Sequence, residues 1–177
     1  MEKIYDKIYP LEPDEMDNLI YKNCILLSWI EPKHIIERKT KYINYDNFLT
    51  DMFKYFDKIE KEKSPRKKLI NLSQIFISIE NFYKSNNEIN SYGEMRVDDQ
   101  FQILCYLFIK SHPLNIYTNC KFMDLFLDAK TNKVEESQLF QSKGICEFMS
   151  NIKSIYLNKV TEEDFNKNCF IASHNDE

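Results

Sequence analysis

The sequence predicts an all-α protein, a single compact multi-helix domain of about six to eight helices. Three observations carry that expectation. Only two glycines occur, Gly93 and Gly144, whereas hairpin-rich β folds need many residues at positive φ. Apolar residues recur at a period near 3.6 in segment after segment. Prolines, acids and hydroxyl residues stand where such segments begin, and proline, glycine or polar runs stand where they stop.

The first helix follows Pro13, with acids in its opening turn and apolar residues at Leu19, Ile20, Ile25, Leu26, Trp29 and Ile30 before Pro32 stops it. The second is a stripe of Tyr45, Phe48, Leu49, Met52, Phe53, Phe56 and Ile59, read as core rather than as a ligand groove. It runs out in "EKEKSPRKK", read first as a solvated turn; contact with an anionic membrane is the alternative reading, with a charge that its acids dilute. A third helix carries Leu69, Leu72, Ile75, Phe76, Ile79 and Phe82, with Ser64 as its cap and Pro65 at its first position. The polar stretch 84–95, which contains Gly93, is expected to be a loop.

The fourth helix is nearly all apolar. From Phe101 to Ile109 every residue except Gln102 is hydrophobic, so little of its surface can face water. His112 and Pro113 end it, and Lys110 suits its C-terminus as a cation. A fifth helix is expected over about 115–127, and the stretch 128–137 links it to a sixth covering roughly 135–157. A last short helix opens with Thr161 and Asp164 as a capping box, and 169–177 is expected to fray. No repeat or long linker divides residues 1–177.

With 177 residues, 43% hydrophobic and 29% charged, the chain can bury a real core. Its 24 lysines and arginines are interleaved with acids at a net charge of −4, which leaves no basic stripe for nucleic acid. The arginines are only Arg38, Arg66 and Arg96, so bidentate phosphate recognition is scarce. Cys24, Cys105, Cys120, Cys146 and Cys169 are odd in number and never in a C-x-x-C pair. They read as buried thiols in a reducing compartment rather than as disulfides or metal ligands. His34, His112 and His174 form no ligand cluster, and neither metal nor cofactor is expected. The opening "MEKIYDKIYP" is no signal peptide, and no apolar run reaches the ~18 residues that span a bilayer, so a cytoplasmic protein is expected.

The feature that invites chemistry is Asp98 beside Asp99, at the mouth of the apolar fourth helix. The residues leave two readings open. Both carboxylates can accept from the free N–H groups of a helix start and favour its dipole, which is the simpler reading. Yet one cap needs one carboxylate, and the other would stand at the rim of an apolar helix, able to meet a cation. Nothing nearby supplies a base, nucleophile or metal set, so hydrolytic chemistry has no visible apparatus.

The stretch "VDDQFQILCYLFIKSHPLNIYTNCKFM" resembles the central signature of the Vps-nine domain family, guanine-nucleotide exchange factors for endosomal Rab GTPases of the Rab-five group. Asp98, Asp99, Phe101, Tyr106, Lys110, Pro113 and Asn119 fall on or beside that pattern without a gap. "YDKIYP", "SPRKKL" and "LNKVTEEDF" resemble further family segments in the right order, so about residues 3–168 are covered. The resemblance implies an exchange factor without covalent chemistry, serving vesicle docking and fusion at endosomes or vacuoles. It implies a cytoplasmic monomer that meets the endosomal or vacuolar membrane only transiently.

What the resemblance implies for the residues is specific. Asp98 is the aspartate finger that reaches the partner's nucleotide site, and Asp99 is a cap or supporting acid. The implied GTPase-binding set is Asp99, Phe101, Gln102, Tyr106 and Asn119, joined at the start of the sixth helix by Ser137, Phe140 and Gln141. Here the chain departs from the pattern. Ser137 stands for the family tyrosine, Phe140 for its threonine, Gln141 for its asparagine, and Gln102 for a proline. Leu139 and Phe140 fit core packing equally well. These losses keep two rivals in view: a Rab-binding adaptor with weak or lost exchange, and an unrelated helical scaffold whose acidic pair only caps.

Overall fold

The computed structural model describes residues 9, 14–36, 45–86, 95–128 and 131–174. Among them eight α-helices follow one another, with no strand: α1 (Glu15–Leu26), α2 (Pro32–Ile35), α3 (Asp46–Lys61), α4 (Pro65–Asn86), α5 (Val97–Ser111), α6 (Ile116–Asp124), α7 (Lys133–Ser150) and α8 (Glu162–His174). A 3₁₀ turn, Ser154–Tyr156, separates the last two. The all-α expectation therefore holds, and no helix among the described residues is long and apolar enough to cross a membrane.

α5 is the axis of the fold. It touches α1, α2, α3, α4 and α7, so neighbours surround it, and Ile103 through Ile109 are all buried without a break. Burying each large apolar side chain there contributes up to about 1.5–3 kcal/mol. The helix stops where the chain turns left-handed at His112, φ 46°, ahead of Pro113. α3 and α4 form an antiparallel hairpin whose inner stripe, Phe48, Met52, Phe56 and Ile59 against Leu69, Leu72, Ile75, Phe76 and Ile79, is the predicted one. Phe53, expected in that core, is 38% exposed and lines an open pocket with Ser111, His112 and Pro113.

Helix ends differ from the sequence expectations in ways that have local causes. α1 stops at Leu26 rather than at Pro32, its last turn closed by the Leu27 N–H on the Asn23 and Ile25 carbonyls. α4 continues to Asn86, three residues into the expected loop, and α6 ends at Asp124. α7 starts at Lys133, where the Asn132 side chain accepts from the Val134 N–H at 2.9 Å. It ends at Ser150, well short of 157, where Ser150 and Asn151 turn side chains back onto the Glu147 carbonyl. The capping pair at Thr161 and Asp164 is present, with the Asp164 N–H on the Thr161 hydroxyl at 3.1 Å. From it α8 extends through His174, so 169–174 is helical and not frayed, with Ala172 buried. Pro13, Arg38, Gly93 and most of "YDKIYP" lie outside the described residues.

Two buried charges were not foreseen. Asp17 of α1 is fully buried and accepts from the Tyr117 N–H (2.7 Å), the Thr118 N–H (3.1 Å) and the Thr118 hydroxyl (2.6 Å). It caps α6 from a hundred residues away, and its burial raises its pKa. Lys68, in the run read as a solvated turn, is likewise fully buried. Its ammonium donates to the Ile59 carbonyl (2.6 Å) and to Asn119 Oδ1 (2.6 Å), and lies 5.2 Å from the Tyr9 ring. The long stem of Lys68 reaches back under the hairpin to the last carbonyls of α3, which would otherwise be orphaned.

Candidate functional site

The two aspartates divide their tasks. Asp99, at the third position of α5, is buried and reaches back to the Arg96 N–H at 3.1 Å, while the Arg96 guanidinium holds its other oxygen at 3.2 Å. That is a cap and a charge-assisted pair in one side chain. Asp98 is exposed and makes no hydrogen bond or ion pair with any described residue.

Asp98 heads a stripe at helical spacing that continues through Phe101, Gln102 and Cys105. The last three line a groove of about 310 Å³ whose other walls are Ile35, Phe148, Ile152, Ile155, Tyr156, Leu157 and Asn158. Its floor is an aromatic ladder. Phe101 meets Phe148 edge-on at 5.4 Å, and Phe148 meets Tyr156 at 5.2 Å. The rim is unusually apolar for a surface, with Ile155 82% and Tyr156 55% exposed. The 3₁₀ turn produces this by rotating both residues outward once α7 has ended. The Asn158 N–H on the His34 carbonyl (2.7 Å) ties the far wall to α2.

The groove residues of 148–158 were missed because a continuous helix to 157 hid them. The polar breakers Asn151 and Ser154 were the available signal. α1 supports this wall as well. Its Asn23 amide donates to the Met149 (2.8 Å) and Ser150 (3.1 Å) carbonyls, capping the end of α7. Lys110, expected to serve its own helix end, donates instead to the Ser28 carbonyl beyond α1 at 2.7 Å.

The expected residues of α7 are only partly united with this groove. Gln141 is half-buried, and Ser137 and Phe140 are exposed, Phe140 at 77%. At 1.5 Å per residue they stand about 10–17 Å along α7 from Phe148. Leu139 is core, so of that adjacent pair only Leu139 takes the packing role. Two residues implied as GTPase contacts are internal. Tyr106 is buried edge-on against Tyr45 at 5.6 Å, because its helix is surrounded. Asn119 is buried, its oxygen held by Lys68 and its amide nitrogen donating to Glu60 at 2.9 Å. Neither reaches a partner while the core is closed.

The cysteines are free. Cys24, Cys105, Cys120 and Cys146 are buried, and burial pushes the Cys24 thiol up to about 12, so it stays protonated and packs as a small apolar group. Among the described residues no group of three or more His, Cys, Asp or Glu side chains is arranged to hold a metal ion.

The site thus sets an exposed carboxylate, Asp98, beside an aromatic groove on an all-helical scaffold. The family model for the Vacuolar sorting protein 9 (VPS9) domain matches residues 49–154, from α3 to the 3₁₀ turn, and the chain belongs to that family. It is 23% identical over 177 residues to Vacuolar protein sorting-associated protein 9A of Oryza sativa subsp. japonica, covering 97% of this chain and 36% of that protein. The chain thus spans about a third of that relative's length.

Proposed function

We propose that this chain is a guanine-nucleotide exchange factor for a Rab-five-type small GTPase of the endosomal or vacuolar route. Asp98 acts as an aspartate finger. The observation that carries the reading is the division of labour at the head of α5: Asp99 is consumed as cap, while Asp98 stays exposed and without a partner among the described residues. Family membership supports the class of activity.

The mechanism needs no covalent step. Bound nucleotide is held by Mg²⁺ and by a phosphate-loop lysine on the GTPase. The Asp98 carboxylate, offered to that lysine, repels the phosphate and stabilises the cation once the site empties. Each ~1.4 kcal/mol of such preference along the release path speeds release about tenfold. Phe101, Gln102 and the aromatic groove take the mobile switch region, and Ser137, Phe140 and Gln141 extend the contact along α7.

Release of a fluorescent guanine nucleotide from a Rab-five-type GTPase tests the reading. Acceleration by the chain that vanishes with Asp98→Ala supports it; full acceleration by that variant overturns it. The exposed Phe140, where a threonine is expected, favours a second reading: an adaptor that binds the GTPase with little exchange. Tight binding without acceleration would select the adaptor.

A further inference from the structure

The turn joining α3 to α4 carries charge opposite to the rest of the chain. Residues 54–68 hold seven basic and three acidic side chains, a net of +4 within a chain of net −4, so all other residues together carry −8. Lys68 is buried, which leaves a surface excess of +3.

The remaining cations have local partners of a weak kind. Lys61 pairs with Asp57 at 2.6 Å, Lys67 approaches Glu62 at 3.8 Å, Arg66 pairs with Glu135, and Lys58 lies 5.2 Å from the Tyr55 ring. The Lys61 and Lys67 side chains are 75% and 64% exposed in these pairs. Ion pairs so exposed contribute little and exchange readily for another anion. Lys58, Lys61 and Lys67 outnumber Asp57 and Glu62 along one groove of about 460 Å³, which Asn71 and Ile70, 41% exposed, complete. Ile77, 44% exposed, follows on the same face of α4 two turns later. Basic heads around exposed isoleucines suit a surface that is anionic outside and apolar beneath.

The placement of this turn is equally informative. Ser111 and His112 at the C-terminal end of α5 share a pocket with Ile59 and Glu60 at the end of α3. α5 therefore points its C-terminus at the basic turn, and Asp98 lies at the other end, about 20 Å away along the helix. We propose that the α3–α4 turn docks on an anionic lipid bilayer, with Lys58, Lys61 and Lys67 against headgroup phosphates and Ile70 at the headgroup–acyl boundary. Docked so, the molecule holds Asp98 away from the bilayer, open to a GTPase. A nucleic acid fits less well, since the only arginine in this stretch is already paired and the isoleucines would gain nothing from it.

The test does not depend on nucleotide exchange. The full chain is sedimented with phosphatidylcholine vesicles with and without phosphatidylserine. Binding is expected only to the serine-containing vesicles, and should weaken with salt. A variant carrying Lys58→Glu, Lys61→Glu and Lys67→Glu should lose at least about a hundredfold in partitioning, about fivefold for each positive charge removed and more for each negative charge added. Ile70→Ser should weaken binding several-fold at unchanged salt dependence. If the triple variant fails to show the helical circular dichroism of the wild type, the corresponding glutamine variants replace it. Equal binding to neutral vesicles, no binding by the wild type, wild-type binding by the charge variants, or stronger binding to duplex RNA than to vesicles would each overturn the proposal.

Discussion

Replacing Asp17 probes how far the N-terminal helix holds the rest of the domain together. Its carboxylate satisfies two backbone N–H groups and one hydroxyl at the start of α6. Asp17→Ala leaves those donors without their partner in a closed interior. Unsatisfied buried groups cost about 1–3 kcal/mol each, and the burial that raises the Asp17 pKa offsets part of the sum. A net loss of roughly 3–5 kcal/mol follows, or about 10 °C in Tm for a chain of this length.

Asp17→Asn keeps one acceptor oxygen but turns its amide against donors, so it should fall between the wild type and Asp17→Ala. The sign of the pH effect is fixed too. A carboxyl whose folded pKa lies above its unfolded value holds more protons when folded between the two. Its contribution is therefore present at low pH and lost as pH rises through the raised value. The stability gap between wild type and Asp17→Asn should narrow across that window. Urea denaturation followed by circular dichroism measures all of this. A loss below about 1 kcal/mol for Asp17→Ala at an unchanged m-value would refute the bracing role.

The other predictions concern single side chains. Asp99→Ala should destabilise by about 1–2 kcal/mol and Asp98→Ala by no more than about 0.5, read by the same denaturation. Lys68, pushed down to about 8 by burial, should make stability rise with pH between that value and its unfolded value near 10.5, because the unfolded chain then binds the extra proton. The rise should be absent in Lys68→Met when denaturation midpoints are compared from about pH 7.5 to about pH 10. Ser137→Tyr should speed nucleotide release roughly threefold to tenfold, an aromatic contact being worth about 0.5–1.5 kcal/mol. An unchanged rate would count against Ser137 standing at the family tyrosine.

The helices were legible because their causes are local. Two glycines, the cap at Thr161, and stripes such as Phe48–Met52–Phe56–Ile59 act within a turn or two of chain. The burial of Asp17 and Lys68 was not legible: Asp17 is satisfied by groups 100 and 101 residues away, and Lys68 by Asn119, 51 residues away, together with the carbonyls that end α3. Lys68 stands in a run that reads as solvent-facing by composition alone, and only the docking of α6 against the hairpin changes that. At the candidate site, the spacing of Asp98, Phe101 and Gln102 was readable. The opposite wall was not, because the break after Ser150 depends on side chains folding back onto Glu147 and on α1 capping α7. Tyr106 and Asn119, expected at the partner surface, are instead buried in the core.

The central claim is that the Asp98 carboxylate takes the place of a phosphate in the emptied GTPase. The most direct measurement is the affinity of wild type and Asp98→Ala for a Rab-five-type GTPase, once with GDP bound and once stripped of nucleotide. A charge-assisted hydrogen bond made only in the empty state predicts a loss of roughly tenfold to a hundredfold for the stripped form. The GDP-bound form should lose almost nothing. Equal losses in both states, or no loss in either, would contradict the account.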